Sequence, residues 1–152
     1  MEADKTDADP KALACYGLLR DDTEQMLLRF VQGRPVSQVT EDFLAWVCER
    51  LHAEGKEALL LVWDNASWHV SKRVRAWVKA HNRQAKRAGG VRIVACYLPV
   101  KSPWLNAIEP KWVHGKKAIT EPARKLTAQE VKDRACAYYR SEHVAPLVQN
   151  VA

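Results

Sequence analysis

Two carboxylates, Asp64 and Glu109, are the residues of this chain best suited to chemistry. Asp64 ends an apolar run, Leu-Leu-Leu-Val-Trp at 59–63, and Glu109 lies in a proline- and tryptophan-rich segment from Leu98 to Trp112. Carboxylates that converge from separate elements bind divalent cations through hard oxygen ligands. The intervening chain is able to return to its start. A helix from about Ser71 to Ala88 climbs about 27 Å, and a strand from Val91 to Tyr97 retraces about 23 Å. An acid at the C-terminal tip of a central strand also sits where open sheets place their ligands.

Each candidate has a plainer reading beside it. Asp64-Asn65 is also a good turn start, and Asn106-Ala-Ile-Glu109 fits a capping box in which Glu109 serves only its own helix. His69, five residues after Asp64, either meets metal or phosphate or orients a loop. Trp104 and Trp112 either stack on bases or anchor packing.

A second feature is cationic. At helical spacing, Lys72, Arg75, Lys79, Arg83 and Lys86 share one face, while Val70, Val74, Trp77, Val78 and His81 share the other. That stripe is either a solvated surface or a track for a polyanion. The formal charge of the 152 residues is +6, and the acidic segment Met1 to Pro10 masks a more basic body of +9. Such a body suits nucleic acid as partner.

Cys15, Cys48, Cys96 and Cys136 are far apart, sit among apolar residues and form no pair at zinc-ligand spacing. They read as buried thiols in a reducing compartment. No apolar run reaches bilayer-spanning length, and an acidic start is unlike a secretory signal. The expected location is the cytoplasm, with no membrane partner.

The elements that must position these residues follow from periodicity and punctuation. Residues 1–10 read as a disordered acidic arm. Ala12 to Leu19 and Gln25 to Val31 read as an antiparallel hairpin. A helix from about Ser37 to Ala53, capped by Ser37 or Thr40 and ended before Gly55, buries Val39, Phe43, Val47 and Leu51. Leu59 to Trp63 has the pattern of a central strand buried on both faces. Gly89-Gly90 stops the basic helix. Another helix starts near Asn106, with Pro110 in its first turn. Thr127 and Glu130 make a capping box, with Leu126 and Val131 as hydrophobic staple, for a last helix to about Arg140. Beyond Ser141 a loosely held tail is expected. A single domain is the default at this length.

Two words in this sequence go further: Val-Trp-Asp-Asn-Ala-Ser-Trp-His (Val62 to His69) and Leu-Pro-Val-Lys-Ser-Pro-Trp-Leu-Asn-Ala-Ile-Glu-Pro-Lys-Trp (Leu98 to Trp112). In that order they resemble the second and third catalytic blocks of the DDE superfamily, nearest to the mariner-related insertion-sequence transposases of bacteria. The likeness extends over about residues 11–143, leaving 144–152 as tail. It implies an α/β fold, a ribonuclease H-like mixed sheet flanked by helices. It implies cleavage and strand transfer on DNA with two Mg²⁺ (or Mn²⁺) ions, one activating the nucleophile and one stabilising the leaving oxygen. Asp64 matches the second acid and Glu109 the third. Lys101 and Lys111 join the stripe as DNA-facing residues, and Asn65, His69, Asn106 and Trp112 support the site.

The family's first aspartate belongs on a strand just before the hairpin, and this sequence has none there. Asp4, Asp7 and Asp9 lack apolar flanks, while Asp21 and Asp22 fall in the hairpin turn. The expected fold is therefore truncated at its first strand, which leaves an apolar sheet edge unpaired. Two carboxylates also supply fewer anionic ligands than two divalent ions need. The expectation is a transposase catalytic fragment that acts on element ends and target DNA only when an N-terminal fragment supplies the strand. The alternative is a non-catalytic fragment that binds DNA or pairs with full-length transposase, and a homodimer is a further possibility.

Overall fold

The computed structural model describes residues 14–100, 105–120 and 126–149. The acidic arm, Lys101 and Trp104 lie outside them. The chain divides into two compact units, one of residues 1–34 and 107–148, the other of 35–106 and 149–152. The fold is mixed α/β, as anticipated: the described strands form a small mixed sheet of three and a separate parallel pair.

In the first unit, β1 (Ala14–Leu19) and β2 (Met26–Gln32) form the expected hairpin, in antiparallel register from Ala14↔Val31 to Leu19↔Met26. The Arg20 guanidinium grips Asp22 with bonds of 3.0 and 2.7 Å, and the Arg20 N–H reaches the Gln25 carbonyl at 2.9 Å. Asp22 therefore serves the turn. Two helices follow, α4 (Glu109–Thr120) and α5 (Ala128–Tyr139), numbered in chain order after three in the second unit. Thr127 accepts the Glu130 N–H at 3.1 Å, and Leu126 and Val131 are buried in one cluster with Phe30, Ile119, Ala135 and Cys136. The Thr127 cap and the hydrophobic staple are where the sequence puts them. The helices approach closely because Gly115 lacks a side chain where the Tyr139 ring passes.

The segment after Ser141 is more than the loose tail anticipated. There β5 (Leu147–Val148) pairs parallel with β2, Leu147 is buried, and the Arg29 guanidinium holds the Ala145 carbonyl at 2.7 and 3.0 Å. Two residues are too short for a periodicity to announce them.

In the second unit, α1 (Ser37–Ala53) buries Val39, Phe43, Val47 and Leu51 as its stripe requires. Its N-cap is Val36, without a side-chain cap bond. Ser37 instead meets Ser71 at 2.7 Å, and the buried Glu41 takes the Arg73 guanidinium through two bonds of 3.0 Å. These contacts fasten α1 to α3 (Lys72–Ala88), which follows β3 (Ala58–Trp63) and the single turn α2 (Ser67–Val70). Ser71 caps α3 by accepting the Val74 N–H at 3.2 Å. After Gly89 and Gly90, both at positive φ, β4 (Arg92–Tyr97) runs parallel to β3 from Ala58↔Arg92 to Trp63↔Tyr97.

The structure corrects the reading of β3 as a central strand buried on both faces. Leu61 and Trp63 are buried, but Leu60 is 66% and Val62 49% exposed, and Val94 across the pair is 53% exposed. A continuous apolar run is compatible with one covered face or two, because burial on a sheet alternates with period 2 whatever the composition. Cys96, on the same open face, is exposed too, unlike the buried Cys48 and Cys136. Among the described residues no helix is long and apolar enough to cross a membrane.

Candidate functional site

The chain leaves β3 at Trp63 and turns at once. Asp64 Oδ1 accepts the Ala66 N–H at 2.9 Å and lies 2.8 Å from His69 Nδ1. The turn-starting role of Asp64 is thus real, but it engages one oxygen. Oδ2 has no protein partner among the described residues, and the side chain is 53% exposed.

His69 is held from several sides. Its ring stacks on Trp63 with centroids 4.8 Å apart, Trp68 meets it edge-on, and Tyr97 donates its hydroxyl to the His69 carbonyl at 3.2 Å. Asn65 Nδ2 bonds the Leu98 carbonyl at 2.6 Å, tying the turn to the end of β4. Burial lowers the His69 pKa, outweighing the opposite pull of Asp64. A carboxylate can only accept, so a neutral imidazole beside it carries its proton on Nδ1. The loop-orienting reading of His69 is the one its contacts describe.

Trp63 and Tyr97 were not singled out from sequence, yet they shape this site. They face each other across the β3–β4 register and stack at 5.5 Å. The buried Trp63 Nε1–H has no hydrogen-bond partner among the described residues. Register was the available signal: two aromatics closing two strands that end together.

The basic stripe belongs to the same unit. Lys72, Arg75, Lys79, Arg83 and Lys86 are all exposed along α3, and the Arg75 guanidinium lies 5.5 Å over the Tyr97 ring. The stripe therefore begins beside the Asp64 turn. The opposite face of α3 buries Val74 fully, and half-buries Trp77, Val78 and His81.

Glu109 belongs to the first unit. The helix expected from Asn106 begins instead at Glu109, with the Trp112 N–H bonded to the Ile108 carbonyl at 3.1 Å. The capping box is therefore not formed: Glu109 is the first helical residue, not the third. Its half-buried carboxylate has no hydrogen-bond or ion-pair partner among the described residues, and it sits at the positive end of α4. Asn106 precedes the helix, half-buried, and Lys111 is exposed in its first turn. Trp112 is set over Gly17 and edge-on to Tyr139 at 5.8 Å, the contacts of a packing anchor.

The structure thus gathers Asp64, Asn65 and His69 with the head of the stripe, and places Glu109, Lys111 and Trp112 on α4. Among the described residues no three His, Cys, Asp or Glu side chains form a metal-binding cluster. The donor chemistry nevertheless suits a hard divalent cation, since each acid offers carboxylate oxygen without a competing cationic side chain.

Over residues 4–132 the chain matches the DDE superfamily endonucleases, and it belongs to that family. The family's nucleases act on DNA and generally use divalent metals. No curated protein matches the chain.

Proposed function

We propose that this chain is the catalytic segment of a cut-and-paste transposase of the mariner-related insertion-sequence type, with a ribonuclease H-like domain. Asp64 and Glu109 are the second and third acids and hold Mg²⁺ or Mn²⁺. The first acid arrives on a strand from outside residues 14–149, in an N-terminal fragment or a full-length relative. The free Asp64 Oδ2, at the tip of β3 and beside a cationic helix, is the observation that carries this reading.

Each residue has a stated task. Asp64 presents Oδ2 while His69 fixes Oδ1, so the carboxylate cannot rotate away. Glu109 offers a second carboxylate. Lys72, Arg75, Lys79, Arg83, Lys86 and Lys111 neutralise phosphates of the element end and target DNA, and Lys101 joins them. The divalent ions, when bound, supply activation of the attacking oxygen and stabilisation of the leaving one. Free thiols suit the cytoplasm, where such an element would act.

The test is cleavage of element-end DNA with Mg²⁺ or Mn²⁺, by the chain alone and with an N-terminal fragment carrying the acid-bearing strand. Complemented protein is expected to cut, and its Asp64→Asn and Glu109→Gln variants are not. Equal cutting by the variants would refute the assignment. A second reading, a non-catalytic fragment that occupies DNA or pairs with transposase, is favoured by the fully exposed stripe and by the bare face of β3. DNA binding without any complemented cleavage would select it.

A further inference from the structure

The turn that presents Asp64 is fastened from the end of the neighbouring strand. The Leu98 N–H reaches the Trp63 carbonyl at 2.9 Å, Asn65 Nδ2 reaches the Leu98 carbonyl at 2.6 Å, and the Tyr97 hydroxyl reaches the His69 carbonyl at 3.2 Å. The third bond closes on α2, the element least able to hold itself. Helix formation has a costly nucleus, and α2 is a single turn whose N-cap, Ala66, makes no side-chain bond. Carbonyls in the last turn of a helix have no partner within it, so every carbonyl of α2 is of that kind. Tyr97 takes the one on His69, the residue whose ring meets Asp64 Oδ1 at 2.8 Å. The Ala66 N–H bonds the same Oδ1 at 2.9 Å. The turn therefore grips the Asp64 carboxylate through its cap and through His69, and the carboxylate is as ordered as that turn.

The ring of Tyr97 has work of its own. It stacks on Trp63, its partner in the β3–β4 register, at 5.5 Å, and the Arg75 guanidinium lies over it at 5.5 Å. The start of α3 reads Lys72-Arg73-Val74-Arg75 with no acid in the first turn, so cations crowd the positive end of the helix, where the macrodipole disfavours them. Arg73 is offset by Glu41. Arg75 has no carboxylate partner among the described residues, and the π face of Tyr97 takes that place.

We propose that Tyr97 is a positioning residue of this site with two separable tasks. Its hydroxyl braces the α2 turn and so fixes the Asp64 carboxylate, while its ring holds the Arg75 guanidinium beside the same turn, ordered in advance for a DNA phosphate. Tyr97 acts through His69 and Arg75. The brace is a property of the fold, whereas its effect on cleavage rests on Asp64 being a metal-holding acid, as proposed above.

Tyr97→Phe keeps the ring and removes only the hydroxyl. Amide hydrogen exchange of the full chain, read by NMR, is expected to be about 2- to 10-fold faster at Ala66, His69 and Val70, the amides that close the turn, as the loss of one hydrogen bond implies. The Arg92 amide, bonded to the Glu57 carbonyl at the far end of the strand pair, is expected to keep its rate. Unchanged turn amides overturn the proposal, and so does equal acceleration at Arg92, which would mark a general loss of stability. In the parent chain the Arg75 side-chain protons are expected to be shifted upfield by the Tyr97 ring and to lose that shift in Tyr97→Leu; unshifted protons in the parent overturn the task given to the ring. In complemented cleavage, Tyr97→Phe is expected to lower kcat by a similar factor at unchanged KM for DNA, and Tyr97→Leu to raise KM as well. A loosened turn with cleavage as fast as the parent's overturns the positioning role. A loosened turn in a chain whose complemented parent cuts no DNA upholds the brace and refutes the metal reading of Asp64.

Discussion

His69 Nδ1 lies 2.8 Å from Asp64 Oδ1, and the imidazole that makes this contact is stacked on Trp63, the residue before Asp64. The strand that presents the acid also presents the surface against which its partner is fixed. His69→Ala is expected to leave the fold intact and to lower complemented, metal-dependent cleavage by about 10- to 100-fold, the usual cost of losing such a partner. His69→Asn, which keeps a donor, should recover part of it. Steady-state cleavage at saturating metal checks this.

The Trp112 ring occupies the space that a side chain at Gly17 would need. An indole held by Tyr139 cannot swing aside cheaply. Gly17→Ala is therefore expected to destabilise the first unit by about 1–3 kcal/mol, as overpacking does. Denaturant unfolding measures it, and Gly17→Ala with Trp112→Leu should recover part of the loss.

Alkaline pH should weaken the same unit. Burial pushes the Cys15 thiol up to about 12, and burial with the neighbouring Tyr138 and Cys15 pushes the Tyr139 phenol up to about 12. The folded chain therefore keeps protons that the unfolded chain releases from about pH 9 and pH 10 upward. Stability is then fully present below those values and declines as pH rises toward 12. Unfolding midpoints across that range check the sign, and Cys15→Ser should flatten the slope.

If the α3 stripe follows a DNA backbone, affinity falls steeply with salt. Lys79→Glu with Arg83→Glu is expected to weaken binding and to reduce the slope of log K against log salt by about 0.9 for each phosphate that the variant leaves unneutralised. Fluorescence anisotropy at several salt concentrations measures it. An unchanged slope would assign the stripe to solvent.

The thiols should react in an order set by burial. Cys96 is exposed, whereas Cys48 is buried with its thiol pushed up to about 11. A disulfide reagent near neutral pH is expected to modify Cys96 first, and Cys96→Ser should remove the fast phase. Mass spectrometry of the labelled chain identifies the site.

Much of this molecule was determined by the sequence alone. Ser37–Ala53 is helical because Val39, Phe43, Val47 and Leu51 recur at its period, and α5 starts where Thr127 and Glu130 make a cap. The hairpin, the existence of strands at Leu59 to Trp63 and Val91 to Tyr97, and the basic helix were equally local signals, since period, cap and turn chemistry act within a few residues. The tertiary structure alone decided which face of Leu59 to Trp63 is covered. It also decided that Glu109 begins its helix instead of capping it, that Asn82 bonds Ile93 of β4, and that Leu147 returns to β2. These depend on what packs against a residue from far along the chain, and an apolar side chain reads the same in a one-dimensional pattern whether its partner is present or not.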